Sequence, residues 1–101
     1  MKLILTTVNQ KSQAEKIAQA LLKDQLAACV NFFPCSSRYR WQGKIKKSSE
    51  FQLIIKTKDA LIKETITKLK KVHPYDLPVI EVIKVEGNNS GVKEWMDEVT
   101  K

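Results

Sequence analysis

Few side chains in this 101-residue sequence have the type and spacing to do chemistry. His73 is the only histidine, and Cys29 and Cys35 are the only cysteines, so a histidine-based nucleophile would have to be one of these two thiols. Neither cysteine sits in a recognisable nucleophile motif. With three glycines in all, the chain has no P-loop, no G-x-G-x-x-G and no G-x-S-x-G. Glu50 and Glu81 are the only acids inside strand-like segments, and a structural ion pair with a lysine or arginine explains them without catalysis. No catalytic residue and no organic cofactor are expected. Metal chemistry is a separate case. Cys29 and Cys35 lack C-x-x-C spacing, so one chain does not encode a closed site, but thiolates suit Cu(I) and neighbouring copies could add donors. An extended strand would hold the two cysteines about 20 Å apart, too far for a disulfide, and reduced thiols fit a reducing compartment.

The elements that must position these residues follow from periodicity. Leu3 to Val8 reads as a central strand, apolar on both faces. Ser12-Gln13-Ala14-Glu15 has capping-box spacing, and Ala14, Ile17, Ala18, Leu21 and Leu22 follow at helical intervals. Ala28 to Phe33 is a second strand, and Pro34, which cannot donate to a ladder, implies a bulge or an edge position. Alternation resumes through Ser37, Tyr39 and Trp41, turns at Gln42-Gly43, and returns through Lys44-Ile45-Lys46-Lys47 to Thr57. Asp59 is placed to cap a second helix with the stripe Leu61, Ile62, Ile66, Leu69, Val72, which His73-Pro74 ends. Val79 to Val85 is the last strand. Val92, Trp95, Met96 and Val99 mark a short terminal helix.

The order βαββαβ predicts a single α+β domain over residues 1–101, a ferredoxin-like sandwich with both long helices on one face of a four-stranded sheet. One mismatch stands out. The arms of the hairpin from Ala28 to Thr57 run to about fourteen residues, near 45 Å, whereas the other strands have about half that length. Its far half carries Tyr39 and Trp41, whose rings need cover from a second copy of the chain or from the chain's own terminal helix. Self-association is the expectation. The net charge of +7 is spread as lysine over all elements, which suits a solvated surface. No apolar run is long enough to span a membrane and no signal peptide is evident, so the protein is expected in the cytoplasm.

Four blocks are specific enough to suggest a family. Leu26-Ala27-Ala28-Cys29-Val30-Asn31, Tyr39-Arg40-Trp41-Gln42-Gly43-Lys44-Ile45, Glu50 with Ile55-Lys56-Thr57, and His73-Pro74-Tyr75-Asp76-Leu77-Pro78 resemble the CutA divalent-cation-tolerance family, in the same order. The resemblance implies a tight homotrimer built like the PII-type proteins, with the long hairpins reaching across neighbours. It also implies a role in tolerance of divalent metals, copper above all. By the same resemblance, Tyr39, Trp41, Lys44, Glu50, Lys56 and Tyr75 are the ligand-cleft candidates. His73 and Cys29 are the candidate ligands for copper or another divalent cation. Some relatives have a further cysteine and histidine where this chain has Thr6 and Val72.

The alternative function is a nucleic-acid-binding module on the same fold. Glu50-Phe51-Gln52-Leu53-Ile54-Ile55 lacks the basic and aromatic pattern that RNA-binding sheets of this topology show on their third strand. Nucleic acid is therefore not the expected partner.

Overall fold

A computed structural model of the chain describes every residue from Met1 to Lys101. In order it forms β1 (Lys2–Val8), α1 (Lys11–Lys23), β2 (Cys29–Trp41), β3 (Lys44–Thr57), a 3-10 turn (Asp59–Leu61), α2 (Ile62–Val72), β4 (Glu81–Lys84) and α3 (Val92–Val99). The strands make one antiparallel sheet in the order β2-β3-β1-β4, the arrangement that two interleaved βαβ units require. No helix is long and apolar enough to cross a membrane.

Strand alternation assigns the two faces. Ile4, Thr6 and Val8 of β1 and Leu53, Ile55 and Thr57 of β3 are buried, and they pack with Ile17 and Leu21 of α1 and Leu69 of α2. The opposite face carries Leu3, Leu5, Ile54 and Phe33, and no helix covers it. The Leu26 backbone carbonyl ties the layers together by accepting the Thr57 hydroxyl at 2.6 Å and lying 3.1 Å from that of Thr65.

The hairpin is continuous. Every pair from Cys29↔Lys56 to Trp41↔Lys44 is in register, so Pro34 causes no bulge; it sits on the outermost strand, where its missing N–H costs no ladder bond. The turn is Gln42-Gly43, both at positive φ (49° and 76°), as a two-residue turn matched to strand twist demands. Beyond β1, whose last partner is Phe51, the hairpin runs on as an isolated two-stranded ribbon, and the molecule is 46 Å long but only 25 by 21 Å across.

Four local expectations are corrected. Ser12 does not cap α1: the helix begins one residue earlier behind Gln10, and the Ser12 hydroxyl reaches only Gln10 Oε1 at 3.5 Å. Asp59 does not cap α2; it opens the 3-10 turn and faces the Met1 amino group at 3.4 Å. The last strand shrinks from Val79–Val85 to Glu81–Lys84, because β1 pairs with it only as far as Leu5, and His73 occupies the neighbourhood of Thr6 and Thr7. Glu50 and Glu81 take part in none of the ion pairs.

Candidate functional site

His73 closes α2. Its backbone is extended (φ −72°, ψ 134°), as a residue before proline must be, and its ring turns inward to be only 7% exposed. Both ring nitrogens are engaged. Nδ1 accepts the Tyr75 backbone N–H at 3.2 Å, which leaves Nε2 protonated beside the Thr6 hydroxyl at 3.0 Å. Burial lowers the imidazole pKa below the usual histidine value, against a smaller upward push from a hydrogen bond with the Thr7 backbone. A neutral His73 thus pins the start of the loop that follows it.

That loop delivers Tyr75. Its ring meets the His73 ring edge-on at 5.0 Å, and its hydroxyl donates to Glu50 Oε2 at 3.3 Å. Burial, the Glu50 carboxylate and, least, Tyr39 push the Tyr75 phenol up to about 12. Titration followed by tyrosinate absorbance should show a Tyr75 step delayed to about pH 12. Tyr75→Phe removes the late step. Glu50→Gln moves it down only in part, because burial is the larger cause. If Tyr75→Phe left a late step in place, the Tyr75–Glu50 contact would be disproved.

The remaining candidates fall into two groups. Glu50 and Tyr75 meet where the ribbon leaves the sheet, and Tyr39, Trp41 and Lys44 lie towards its tip, where Trp41 and Lys44 face each other. Cys29 and Lys56 are also cross-strand partners, but at the other end of the hairpin, about 20 Å from Glu50 by strand rise. Cys35 lies opposite Glu50 in a shallow depression with Pro34, Ser36, Ser49 and Phe51. Both cysteines are free thiols. A hollow of about 640 Å³ is unrelated to these residues; it lies at the opposite end of β1, between Lys58, the loop from Val85 and the start of α3.

One chain does not make a metal site. No three of its histidine, cysteine, aspartate and glutamate side chains come together as ligands, and His73 would have to give up a hydrogen bond to coordinate. Two residues absent from the candidate set prove relevant. Thr6 orients His73, and its signal was a polar residue in register with the buried Ile4 and Val8. Lys46 stands opposite Tyr39, which the position of the Gln42-Gly43 turn already dictates.

The rings at the ribbon tip are uncovered in the single chain. Tyr39 is 45% exposed, Trp41 54% and Ile45 69%. The terminal helix, the other possible cover, packs instead at the far end, where Asp97 meets Lys58 at 3.7 Å and Lys101 N–H donates to the Gln25 carbonyl at 3.0 Å.

Comparison with known proteins agrees with this architecture. Residues 2–99 match the family model described as CutA1 divalent ion tolerance protein. The chain is 38% identical over 98 residues to the divalent-cation tolerance protein CutA of Archaeoglobus fulgidus, covering 97% of this chain and 96% of that protein. Its fold superimposes on the crystal structure of CutA1 from Pyrococcus horikoshii with a TM-score of 0.97 at 37% identity, over 100% of this chain and 99% of the other. The structure of the Archaeoglobus fulgidus protein, described as periplasmic, gives 0.95 at 37% identity with each chain fully covered. With near-complete coverage by sequence and by fold, this chain belongs to the CutA1 divalent ion tolerance protein family.

Proposed function

We propose that this protein acts in the cytoplasm as a homotrimer in the tolerance of divalent metal ions, copper above all, through clefts between its copies that take a metal ion or a small ligand. It performs no catalysis in this reading. The uncovered ribbon is the observation that carries it: Tyr39, Trp41 and Ile45 on a strand pair with free edges are a surface built to be met by another copy. The division of the candidate residues supports it as well. Cys29 and Lys56 cannot reach Glu50 and Tyr75 in one chain, but they can converge with those of a neighbour. The same applies to metal donors, since His73 and Cys29 belong to a shared site or to none.

Light scattering should give about 35 kDa, three times the 11.6 kDa chain. A single-chain mass removes the clefts. Calorimetric titration of Cu(I), Cu(II) and Zn(II) into the assembly should give saturable binding for copper that His73→Ala and Cys29→Ser weaken. Absence of heat, or affinity unchanged in both variants, removes the metal site.

A further inference from the structure

The ribbon tip carries a chemistry that the metal reading does not use. From Ser36 to Ser49 the chain holds the cations Arg38, Arg40, Lys44, Lys46 and Lys47 and not one acid. None of these cations takes part in an ion pair; Arg38 bonds only the neighbouring Ser37 carbonyl, at 3.0 Å. Their charge is therefore uncompensated. The register puts Tyr39 opposite Lys46 and Trp41 opposite Lys44, and alternation places all four on the open face of the sheet. Two half-exposed rings, about 7 Å apart along the strand, each have a lysine as cross-strand partner.

Such a surface repels a divalent cation. The only carboxylate of the hairpin, Glu50, is already bonded to the Tyr75 hydroxyl. It suits the opposite kind of ligand, since ring faces offer stacking and lysines offer charge-assisted hydrogen bonds to anionic oxygens. We propose that the ribbon end of the cleft binds a small anionic ligand carrying a planar ring, with the ring on Tyr39 and Trp41 and the anionic group on Lys44 and Lys46. The inference rests on the clefts proposed above, because the open ribbon alone does not enclose a ligand. A nucleic-acid strand has the same chemistry but needs a track of cations. Here the next pairs towards the core are Ser37↔Ser48 and Cys35↔Glu50, neutral and then negative, so the surface is one ligand long.

ATP is a suitable probe because it joins a planar ring to a polyanion. Titrated calorimetrically without metal, it should bind the assembled protein saturably, more weakly as salt rises, and at least tenfold more tightly than adenosine or tripolyphosphate alone. The paired change Lys44→Ala with Lys46→Ala should weaken it at least tenfold, and the Lys44→Arg, Lys46→Arg pair should retain it. Trp41→Leu should weaken ATP while leaving tripolyphosphate unchanged, with light scattering confirming that each variant still assembles. A trimer that does not bind ATP, or binds it equally without both lysines, overturns the inference and leaves the assembly standing. A single-chain protein that binds ATP through these residues overturns the cleft and keeps the ligand class; one that does not removes both. An oligoadenylate strand binding more tightly than ATP, or Zn(II) binding lost with these lysines, also overturns the inference.

Discussion

Leu53→Ala is expected to destabilise the protein by about 3–5 kcal/mol, the upper part of the range for deleting a fully buried leucine side chain. Leu53 is 0% exposed and lies mid-strand in β3, between Thr6 of β1 and Phe32 of β2. Its side chain points into the cluster that joins the sheet to both long helices. Two hydrogen-bonded neighbours fix its backbone on either side, so the strand cannot slide to refill the space, and most of the cavity should persist. Urea unfolding at one fixed protein concentration is the suitable measurement, because association adds to apparent stability. A loss below about 1 kcal/mol would mean that this core is loosely packed and collapses around the gap.

Ile54→Asp, one residue further on, should have a different outcome. Ile54 lies on the face that no helix covers, between Leu5 and Asn31 on the adjacent strands, and it is half-buried. In the isolated chain a carboxylate there still reaches water. In the proposed trimer, if the copies meet on this face, it would be buried among leucine and phenylalanine, a cost of several kcal/mol repeated in every subunit. The expected result is a fall in mass to 11.6 kDa with the far-ultraviolet spectrum of a folded chain. A variant that keeps the wild-type mass would show that the copies meet elsewhere.

Where the sequence was legible, a strong period made it so. The apolar stripes of α1 and α2, the alternation of the hairpin and the brevity of β1 suffice for the sheet order, because a single topology satisfies all of them. Element ends were less legible. The S-x-x-E spacing at Ser12 marks a helix start only if Ser12 lies outside the helix, and here Gln10 holds that place. Asp59 had a competitor for its carboxylate in the Met1 amino group, a contact between residues far apart in sequence. The shortening of β4 depends on where His73 docks, which no local pattern encodes.

The candidate site was legible residue by residue but not as a geometry. His73, Tyr75 and Glu50 do form one hydrogen-bonded chain. Cys29 and Lys56 are brought to each other and away from that chain, since strand rise alone separates positions 50 and 56 by about 20 Å. Lys46 could have been identified beforehand. Once Gln42-Gly43 is read as a two-residue turn, Trp41 must face Lys44 and Tyr39 must face Lys46.

The unbroken register of the hairpin also constrains how this gene can change length. Because Tyr39 and Trp41 occupy one face of β2 while Arg38 and Arg40 occupy the other, a single-codon insertion between Pro34 and Tyr39 would move both rings off the open face of the tip and bring Arg40 onto it. A two-codon insertion would restore the alternation, provided that the facing arm lengthened by the same amount. Insertions and deletions in this ribbon should therefore survive selection in matched pairs of even length, or at the turn itself.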